Sequence, residues 1–580
     1  LVTLTIDGKE ISVAEGSTVL EAAKQVNVDI PHLCYLPGLT PDGACGICVV
    51  SIAGERNFTR SCAREVAEGM VVTTNSAEIR NIRKTIVELL MARHVKGCFS
   101  CERNQDCELL KLGYDFGVNP DRFQWVEPDY EIDDTSPSII RDPNKCIRCG
   151  RCVRVCNEVQ SVGAIDFINR GTETIVTTFM DQGLGNSECV NCGQCIHVCP
   201  VGAIKEKSCT KEVWRELSNS EKHVVVQEAP AVRVALGEGL GLPVGTLVVG
   251  KMYAVLRKLG FDAVFDTNFS ADLTIMEEGS ELVKRITGGG VLPQITSCCP
   301  AWIKFMEHFY PDLIPNVSSC KSPQQMFGAL VKTYYAGNRN INPANIVSVS
   351  VMPCTAKKFE AIRPEMNDSG YRDVDYVLTT RELIRMIREA GIDFASLDEE
   401  EADELMGAYT GAGTIFGATG GVMEAAVRTA YKLVTGNELE KIDIVPLRGI
   451  EAIKTASINI GDLKANVAVA HGLANARVLL DEIRAGKSPY HFIEIMACPG
   501  GCVGGGGQPL EFDMTLRKKR IESLYSEDSQ LPLRRSHENV LVQKLYKDYL
   551  EKPLGEKSHH LLHTEYSERE CILRSIPVKQ

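Results

Sequence analysis

The sequence predicts a multidomain α/β protein, and three observations predict it. At 580 residues the chain exceeds what one hydrophobic core usually supports, so several domains are expected. Residues 2–26 read as strand, tight turn, strand and amphipathic helix, and from about residue 210 strands alternate with helices, the order that builds a parallel sheet. Between these regions most of the cysteines fall in short, regular spacings, which is the pattern of small metal-binding domains.

Taken in order, Leu4-Thr5-Ile6, the Asp7-Gly8 turn and Ile11-Ser12-Val13 form a hairpin signal. Thr18 and Glu21 then make a capping box that opens a helix running to Val26. Hairpin followed by helix suits a β-grasp domain over 1–79. Within it, Cys34, Cys45, Cys48 and Cys62 follow C-x10-C-x2-C-x13-C in a loop holding Gly43 and Gly46, which lets four thiolates reach one small centre. The spacing departs from that of plant ferredoxins, and zinc is the competing occupant.

A second small domain is expected over 80–125. Ile82, Ile86, Leu89 and Leu90 mark an amphipathic helix that leads to His94, Cys98, Cys101 and Cys107. His94 and Cys98 lie one helical turn apart, so the set can close on one metal; by residue type alone it suits Cys3His zinc equally well. Glu127 to Pro137 is acidic and turn-rich and reads as a linker.

The third domain, 126–209, carries a duplicated C-x2-C-x2-C-x3-C, the two-cluster ferredoxin pattern, in which the fourth cysteine of each run serves the other cluster. Cys146, Cys149 and Cys152 therefore pair with Cys199, and Cys189, Cys192 and Cys195 with Cys156. The first run is followed by Asn157 where the second has Pro200, so the local turns differ.

The remainder, 210–580, is expected to be one large α/β domain with a C-terminal helical tail. His223 to Gln227 is a strand, Lys251 to Leu259 a helix closed by Gly260, and Phe261 to Phe265 the next strand. Ser536 to Leu550 has helical spacing and packs on this domain. His559, His560 and His563, near a polar chain end, read as solvent-facing or packing residues and are given no role.

Composition narrows the function. A formal charge of -13 and a pI near 5.5 leave no broad electrostatic footprint for nucleic acid or an anionic membrane. The uncharged stretch Leu405 to Met423 contains six glycines and reads as a cofactor-hugging loop or a tight packing segment, not a membrane span. Val2 to Ile6 alternate like a strand where an export signal would be apolar, so the 23 cysteines point to metal ligation in a reducing cytoplasm.

The large domain is organised around three apolar runs that each end in a thiol. They are Ile295-Thr296-Ser297-Cys298-Cys299, Val349-Ser350-Val351-Met352-Pro353-Cys354, and Ile493-Glu494-Ile495-Met496-Ala497-Cys498 with Pro499-Gly500-Gly501-Cys502 following. In an open α/β sheet such thiols meet at strand ends, where these folds bind ligands. Gly500, Gly501 and Gly504 to Gly507 allow backbone to approach a bulky inorganic group.

Thr296-Ser297-Cys298-Cys299-Pro300, Met352-Pro353-Cys354-Thr355-Ala356-Lys357-Lys358 and Met496-Ala497-Cys498-Pro499-Gly500-Gly501-Cys502 together resemble the three signatures of the iron-only (FeFe) hydrogenases. That resemblance implies an H-cluster: a 4Fe4S cube held by Cys299, Cys354, Cys498 and Cys502, the last bridging to a two-iron unit with carbon monoxide, cyanide and a dithiolate amine. It makes Lys357 the partner of a cyanide and places Met352, Met496, Phe416, Pro230, Ala231 and Gln324 around the pocket. Ala231 stands where some members have serine, and Pro499 where others have histidine.

The resemblance also implies a proton path through Cys298, Glu278, Ser318 and Glu281. By residue pattern alone, Glu278 and Glu281 read first as a solvated acidic face. Cys209, Cys320 and Cys571 stand isolated and read as inert packing or surface thiols. The N-terminal modules look similar to those of long hydrogenases and complex I-type subunits, implying one 2Fe2S and three accessory 4Fe4S clusters, one of them ligated by His94.

The activity so implied is reversible dihydrogen oxidation and proton reduction, with electrons passed to ferredoxin. The alternative is the catalytic subunit of an NAD(P)-coupled or electron-bifurcating assembly with flavin-containing NAD(P)-binding and 2Fe2S subunits, since no Gly-rich nucleotide fingerprint occurs here. Hydrogenase maturation proteins are expected partners in either case. A non-catalytic iron-sulfur assembly or sensory relative is the third reading.

Overall fold

The computed structural model describes residues 1–95, 97–124, 129–461 and 463–571. Glu127 and Pro128, at the start of the expected linker, lie outside the described residues. The chain divides into two compact units: residues 1–158, 163–187 and 198–205 form the first, and 159–162, 188–197 and 206–580 the second.

In the first unit β1 (Val2–Ile6) and β2 (Lys9–Val13) pair antiparallel, with Val2 opposite Val13 and Ile6 opposite Lys9. Asp7 and Gly8 both take positive φ, the mirror-image turn whose twist matches the strands. Thr18 and Glu21 form the reciprocal capping box of α1 (Val19–Gln25), which buries Val19, Leu20, Ala22 and Ala23. With β3 (Val49–Ile52), β4 (Thr59–Arg60) and β5 (Val71–Thr73) the sheet runs β2-β1-β5-β3-β4.

Helix α2 (Ala77–Ala92) forms as expected but turns a different face inward. It buries Ile79, Arg83, Val87 and Glu88, whereas Leu89 is 47% exposed. Arg83 reaches the Val49 carbonyl at 2.7 Å and Glu88 accepts from Arg122 at 2.7 Å. Buried polar partners thus outweigh the apolar stripe that the sequence suggests. Helix α3 (Glu108–Asp115) follows directly on Cys107, whose sulfur caps it by accepting from the Leu110 amide.

The second unit runs β6 (His223–Glu228), α4 (Val249–Leu259), β7 (Ala263–Asp266), α5 (Thr267–Gly288), β8 (Gln294–Ile295), α6 (Pro300–Phe309), β9 (Ile346–Met352), α7 (Ala356–Ala361) and β10 (Tyr376–Thr379). It continues with α8 (Gly421–Thr435), β11 (Ile453–Ile460), β12 (Leu463–His471), β13 (Phe492–Met496), α9 (Met514–Gln530) and α10 (Glu556–Leu562). Strands β7-β6-β9-β10 make one parallel sheet. All seven residues of β9 are buried, as a strand covered on both faces requires.

The strands that carry cysteine do not share one open sheet, which corrects the expectation. β8 and β13 lie in a second sheet, β8-β13-β12-β11, parallel except for the edge hairpin β11/β12, while β9 belongs to the first. The thiols therefore converge from two sheets.

The glycines of Leu405–Met423 serve close packing: a Cβ on Gly421 would lie 1.7 Å from the Ile415 carbonyl oxygen. Among the described residues no helix is long and apolar enough to cross a membrane. In the C-terminal tail buried Leu561 and Leu562 anchor α10, His559 and His560 are exposed, and His563 is a packing residue at 3% exposure, both within the expectation.

Candidate functional site

The five motif thiols of the second unit, Cys298, Cys299, Cys354, Cys498 and Cys502, sit where a strand meets a helix or a glycine turn. β8 leads to Cys298 and Cys299, and Pro300 in the first turn of α6 ends the extended run. β9 leads to Cys354 just ahead of α7, and β13 leads to Cys498. Gly501, at φ 95°, then returns the chain as Cys502; a Cβ there would meet the Thr419 amide nitrogen at 2.6 Å.

These cysteines line a cavity of about 80 Å³ together with Pro230, Ala231, Gln324, Met352, Lys357, Phe416 and Met496. Every pocket residue named from the sequence is thus brought to one place. The wall is almost wholly carbon and sulfur, and burial pushes the thiols of Cys299, Cys354, Cys498 and Cys502 up, Cys354 to about 12.

Two buried cations offset that cost. Burial opposes the charge of Lys357, but Glu360 outweighs it with Nζ to Oε2 at 2.9 Å, and the same Nζ donates to the Cys298 carbonyl at 3.1 Å. Glu360 in turn accepts from Ser322 and Gln324, so Lys357 is held by a network. The second cation, Arg517 of α9, was missed in the sequence because it lies outside the three motifs. Burial lowers it to about 10, Cys498 favours its charge, and its Nη2 has no hydrogen-bond partner. A buried cation with an unmet donor beside four thiols fits an anionic iron-sulfur group.

Helix α5 carries Glu277, Glu278 and Glu281 inward, all three buried, which overturns the reading of a solvated acidic face. The Ser318 hydroxyl donates to Glu281 Oε2 at 2.8 Å, and Arg285 donates to Oε1 at 2.6 Å. Burial, then repulsion from Glu281, raises Glu278 to about 8. Burial and then Glu278 raise the Cys298 thiol well above its usual range, so it holds its proton. Ser318, Glu281 and Arg285 are thus hydrogen-bonded in series, and buried Glu278, whose carboxylate oxygens make no hydrogen bond, acts on Cys298 through its charge. Cys320, taken as isolated, lies beside this row, with Sγ 3.8 Å from Glu281 Oε2.

A second set of thiols belongs to the same unit. Cys189, Cys192 and Cys195 occupy a loop stitched onto residues 504–506: Gln194 donates to the Gly504 carbonyl at 2.9 Å, and His197 Nε2 meets that of Gly505 at 2.7 Å. A Cβ on Gly506 would lie 2.4 Å from the Cys192 carbonyl oxygen. Cys192 is raised by burial, then Cys195 and Cys498, so the two thiol groups sense each other.

In the first unit hydrogen bonds from Cys45 and Cys62 hold the Cys34 thiol well below the usual thiol range, and Cys62 also bonds Cys48, so the four sulfurs form one knot. Arg154 donates to the carbonyls of Cys34, Thr40 and Cys149 at 2.6, 2.6 and 3.2 Å, tying that loop to the ferredoxin-type run. Cys146, Cys149, Cys152 and Cys199 line one small cavity, and Cys156 stands in the wide helical turn Val155–Val159.

Burial lowers the pKa of His94, and its Nδ1 has no hydrogen-bond partner. A Cβ on Gly202 would lie 2.8 Å from Cys101 Sγ, so only glycine leaves room there. Cys98, Cys101 and Cys107 are each half-buried. These donors suit iron-sulfur clusters, all-thiolate except at the histidine.

Comparison with known proteins agrees along the chain. Residues 222–506 match the C-terminal domain of the iron only hydrogenase large subunit, and 514–569 match the iron hydrogenase small subunit. Residues 1–77 match a 2Fe-2S iron-sulfur cluster binding domain, 83–122 the NADH-ubiquinone oxidoreductase-G iron-sulfur binding region, and 136–205 the ferredoxin-like domain of NADH-quinone oxidoreductase subunit 3. The chain is 50% identical to the NADP-reducing hydrogenase subunit HndD of Solidesulfovibrio fructosivorans, over 99% of this chain and 100% of that one. It is 44% identical to iron hydrogenase 1 of Clostridium pasteurianum, over 97% and 99%. The solved apo FeFe-hydrogenase HydA1 of Chlamydomonas reinhardtii matches with TM-score 0.57 and 46% identity, covering 63% of this chain and all of that one.

Proposed function

This chain belongs to the iron-only (FeFe) hydrogenases, and from that premise we propose which residues hold its cofactors, which move protons and where its electrons go. The enzyme interconverts dihydrogen with protons and electrons. Cys299, Cys354, Cys498 and Cys502 would hold the cube of the H-cluster, with Cys502 also meeting its two-iron unit. The bound H-cluster supplies the heterolytic chemistry of dihydrogen.

The protein's own work is electrostatic and protonic. Lys357 and Arg517 hold positive charge against an anionic group in a dry cavity. Met352, Met496, Phe416, Pro230 and Gln324 exclude water and set the cavity's shape. Cys298 keeps a proton at Sγ, Glu278 accepts and returns it, Ser318 passes it through its hydroxyl, and Glu281 delivers it toward Arg285.

For electrons we propose one 2Fe2S cluster on Cys34, Cys45, Cys48 and Cys62 and a 4Fe4S cluster on His94, Cys98, Cys101 and Cys107. Two further 4Fe4S clusters take the crossed ferredoxin sets. The division 1–79, 80–125, 126–209 and 210–580 is proposed with them. Because the N-terminal modules match NADH oxidoreductase families and the full chain matches HndD, we favour a cytoplasmic multi-subunit NAD(P)-linked assembly in which a flavin-containing partner holds the nicotinamide. Exchange with ferredoxin is the alternative.

The observation that carries this reading is the convergence of four thiols and Lys357 on one cavity, with buried Arg517 acting on Cys498 and buried Glu278 on Cys298. Its test is dihydrogen evolution by the matured chain together with infrared spectroscopy. Carbonyl and cyanide bands with turnover support it, and matured protein without those bands refutes it. Co-purification with a flavoprotein decides between the two electron partners.

A further inference from the structure

Cys209 belongs to none of the cysteine motifs, yet it is not the inert thiol that its isolation in the sequence suggests. Its Sγ accepts from Lys358 Nζ at 3.4 Å and donates to the Val377 carbonyl at 3.0 Å. Lys358 stands on α7 beside Lys357, 149 residues further along the chain. The fold therefore brings together the two nucleophilic atoms of distant side chains, and the flexible lysine stem lets them close further.

One carboxylate holds both partners in place. Glu382 Oε1 accepts from the Cys209 amide at 2.8 Å, and Glu382 Oε2 meets Lys358 Nζ at 2.9 Å. Glu382 is itself fixed, because Oε2 also accepts from the Thr379 amide at 2.7 Å in the capping box of the helix Thr380–Glu389. Lys358 and Glu382 are buried, whereas Cys209 is half-buried at the start of the helix Thr210–Leu217. The sulfur is thus the atom that a small dissolved oxidant meets first, with the amine behind it. Burial lifts the Cys209 thiol to about 11 against the pull of Lys358, so little thiolate is present to enter the ordinary sulfenic-to-sulfonic ladder. Burial opposes the charge of Lys358, but Glu382 outweighs it, and the same carboxylate is in contact to take the proton that the amine must lose on reaction.

We propose that dioxygen joins Cys209 to Lys358 through a single oxygen atom, Sγ–O–Nζ, which makes this pair a redox-sensitive covalent link in the second unit. The step balances. One thiol and one ammonium group react with one dioxygen molecule; the S–H bond and two N–H bonds break, and an S–O and an O–N bond form. Sulfur and nitrogen each give up two electrons, and these four reduce one oxygen atom to water and the other to the bridge. The remaining proton passes to Glu382, which leaves that buried carboxyl neutral when its cation is lost. Two dithiol molecules reverse the step and return thiol, amine and water. The link removes the positive charge of Lys358 from α7, one residue from the Lys357 that lines the cavity. It stands on Cys209, Lys358 and Glu382 alone and is independent of what the cavity holds.

The test uses matured full-length wild type and Cys209→Ser, each divided into a portion kept anaerobic and a portion exposed briefly to air-saturated buffer. All portions are alkylated, digested with trypsin without reductant and mapped by mass spectrometry. Exposed wild type should yield a peptide pair that joins Cys209 to Lys358, heavier than the separate peptides by one oxygen atom and lighter by two hydrogen atoms, with trypsin cleavage after Lys358 lost. The pair should be absent from the anaerobic portion and from Cys209→Ser, and dithiothreitol should return both free peptides. Exposed wild type in which Cys209 is recovered as free thiol, disulfide or sulfinic acid while Lys358 is still cleaved overturns the proposal. A pair lighter by two hydrogen atoms but without the added oxygen is a direct S–N bond and overturns the bridge, and equal linking of Cys209 to other lysines overturns the pairing.

Discussion

The metal sites of the two units are built in different ways. In the first unit the donors come from short runs, tightest where Cys98, Cys101 and Cys107 follow His94 within fourteen residues and looser where Cys199 joins Cys146, Cys149 and Cys152 at one cavity. In the second unit Cys299, Cys354, Cys498 and Cys502 come from two sheets and span some two hundred residues, and around them stand buried cations and a buried acidic row. A site that only carries electrons can be encoded locally. A site that also moves protons and charge through a dry cavity needs the whole fold.

That contrast can be broken most severely by withholding the group that only the second unit uses. Chain produced without the hydrogenase maturation machinery should contain its iron-sulfur clusters and evolve no dihydrogen, because side chains supply neither carbonyl nor cyanide. Matured chain should carry about 20 iron atoms, from one 2Fe2S, four cubes and a two-iron unit. Iron analysis and gas chromatography check this, and strong activity in unmatured protein would sink the H-cluster assignment.

A smaller effect should separate the units from the other side. Arg154→Met leaves the carbonyls of Cys34, Thr40 and Cys149 without their donor, at a cost of about 1–3 kcal/mol for each buried group. The variant should lose its 2Fe2S resonance signal first and keep the infrared bands of the H-cluster. Loss of both together would show that the first unit does not hold its sites locally.

Glu278 supplies a pH test confined to the second unit. Its folded pKa of about 8 lies above the ordinary 4.5, so the native state binds the proton more tightly than the unfolded chain. Its contribution to stability is full below about pH 4.5 and declines as pH rises to about 8. The melting temperature of Glu278→Gln relative to wild type should therefore climb across that window and level off above it. A difference that stays flat with pH means the carboxyl is ionised throughout.

The smallest effect belongs to His94. Replacing imidazole with thiolate in His94→Cys should retain the cluster and lower its reduction potential, since one negative charge is added. Potentiometry followed by resonance spectroscopy measures it. An unchanged potential, or about one zinc ion retained at this module in place of iron, would reassign it.

Legibility in the sequence follows the same division. The hairpin turn at Asp7-Gly8, the capping box of Thr18 and Glu21 and the cysteine runs are local, and their physics is complete within a few residues. The cavity was legible as well, because its three motifs are individually distinctive. What the sequence hid was burial at a distance. Glu278 and Glu281 sit in a stretch whose composition suits solvent, and only helix packing takes them inside. Arg517 lies beyond the last motif, and the groups that bring it to the cavity, the Pro499 carbonyl and the Cys498 thiol, are far from it in the chain. Cys320 and His563 stand 243 residues apart, and the tail that brings His563 to Cys320 looked polar although Leu561 and Leu562 in it are buried.

The central claim is that Cys299 holds metal while its neighbour Cys298 moves protons. The most direct measurement is turnover and infrared spectra of matured wild type, Cys298→Ala, Cys298→Asp and Cys299→Ala side by side. Cys298→Ala should keep the carbonyl and cyanide bands and lose turnover by ~10²- to 10⁴-fold, the scale of a general acid–base contribution. Cys298→Asp should recover part of the rate through its carboxyl, and Cys299→Ala should disturb the bands themselves. Near wild-type turnover in Cys298→Ala, or loss of its bands, would contradict the assignment of the two adjacent thiols.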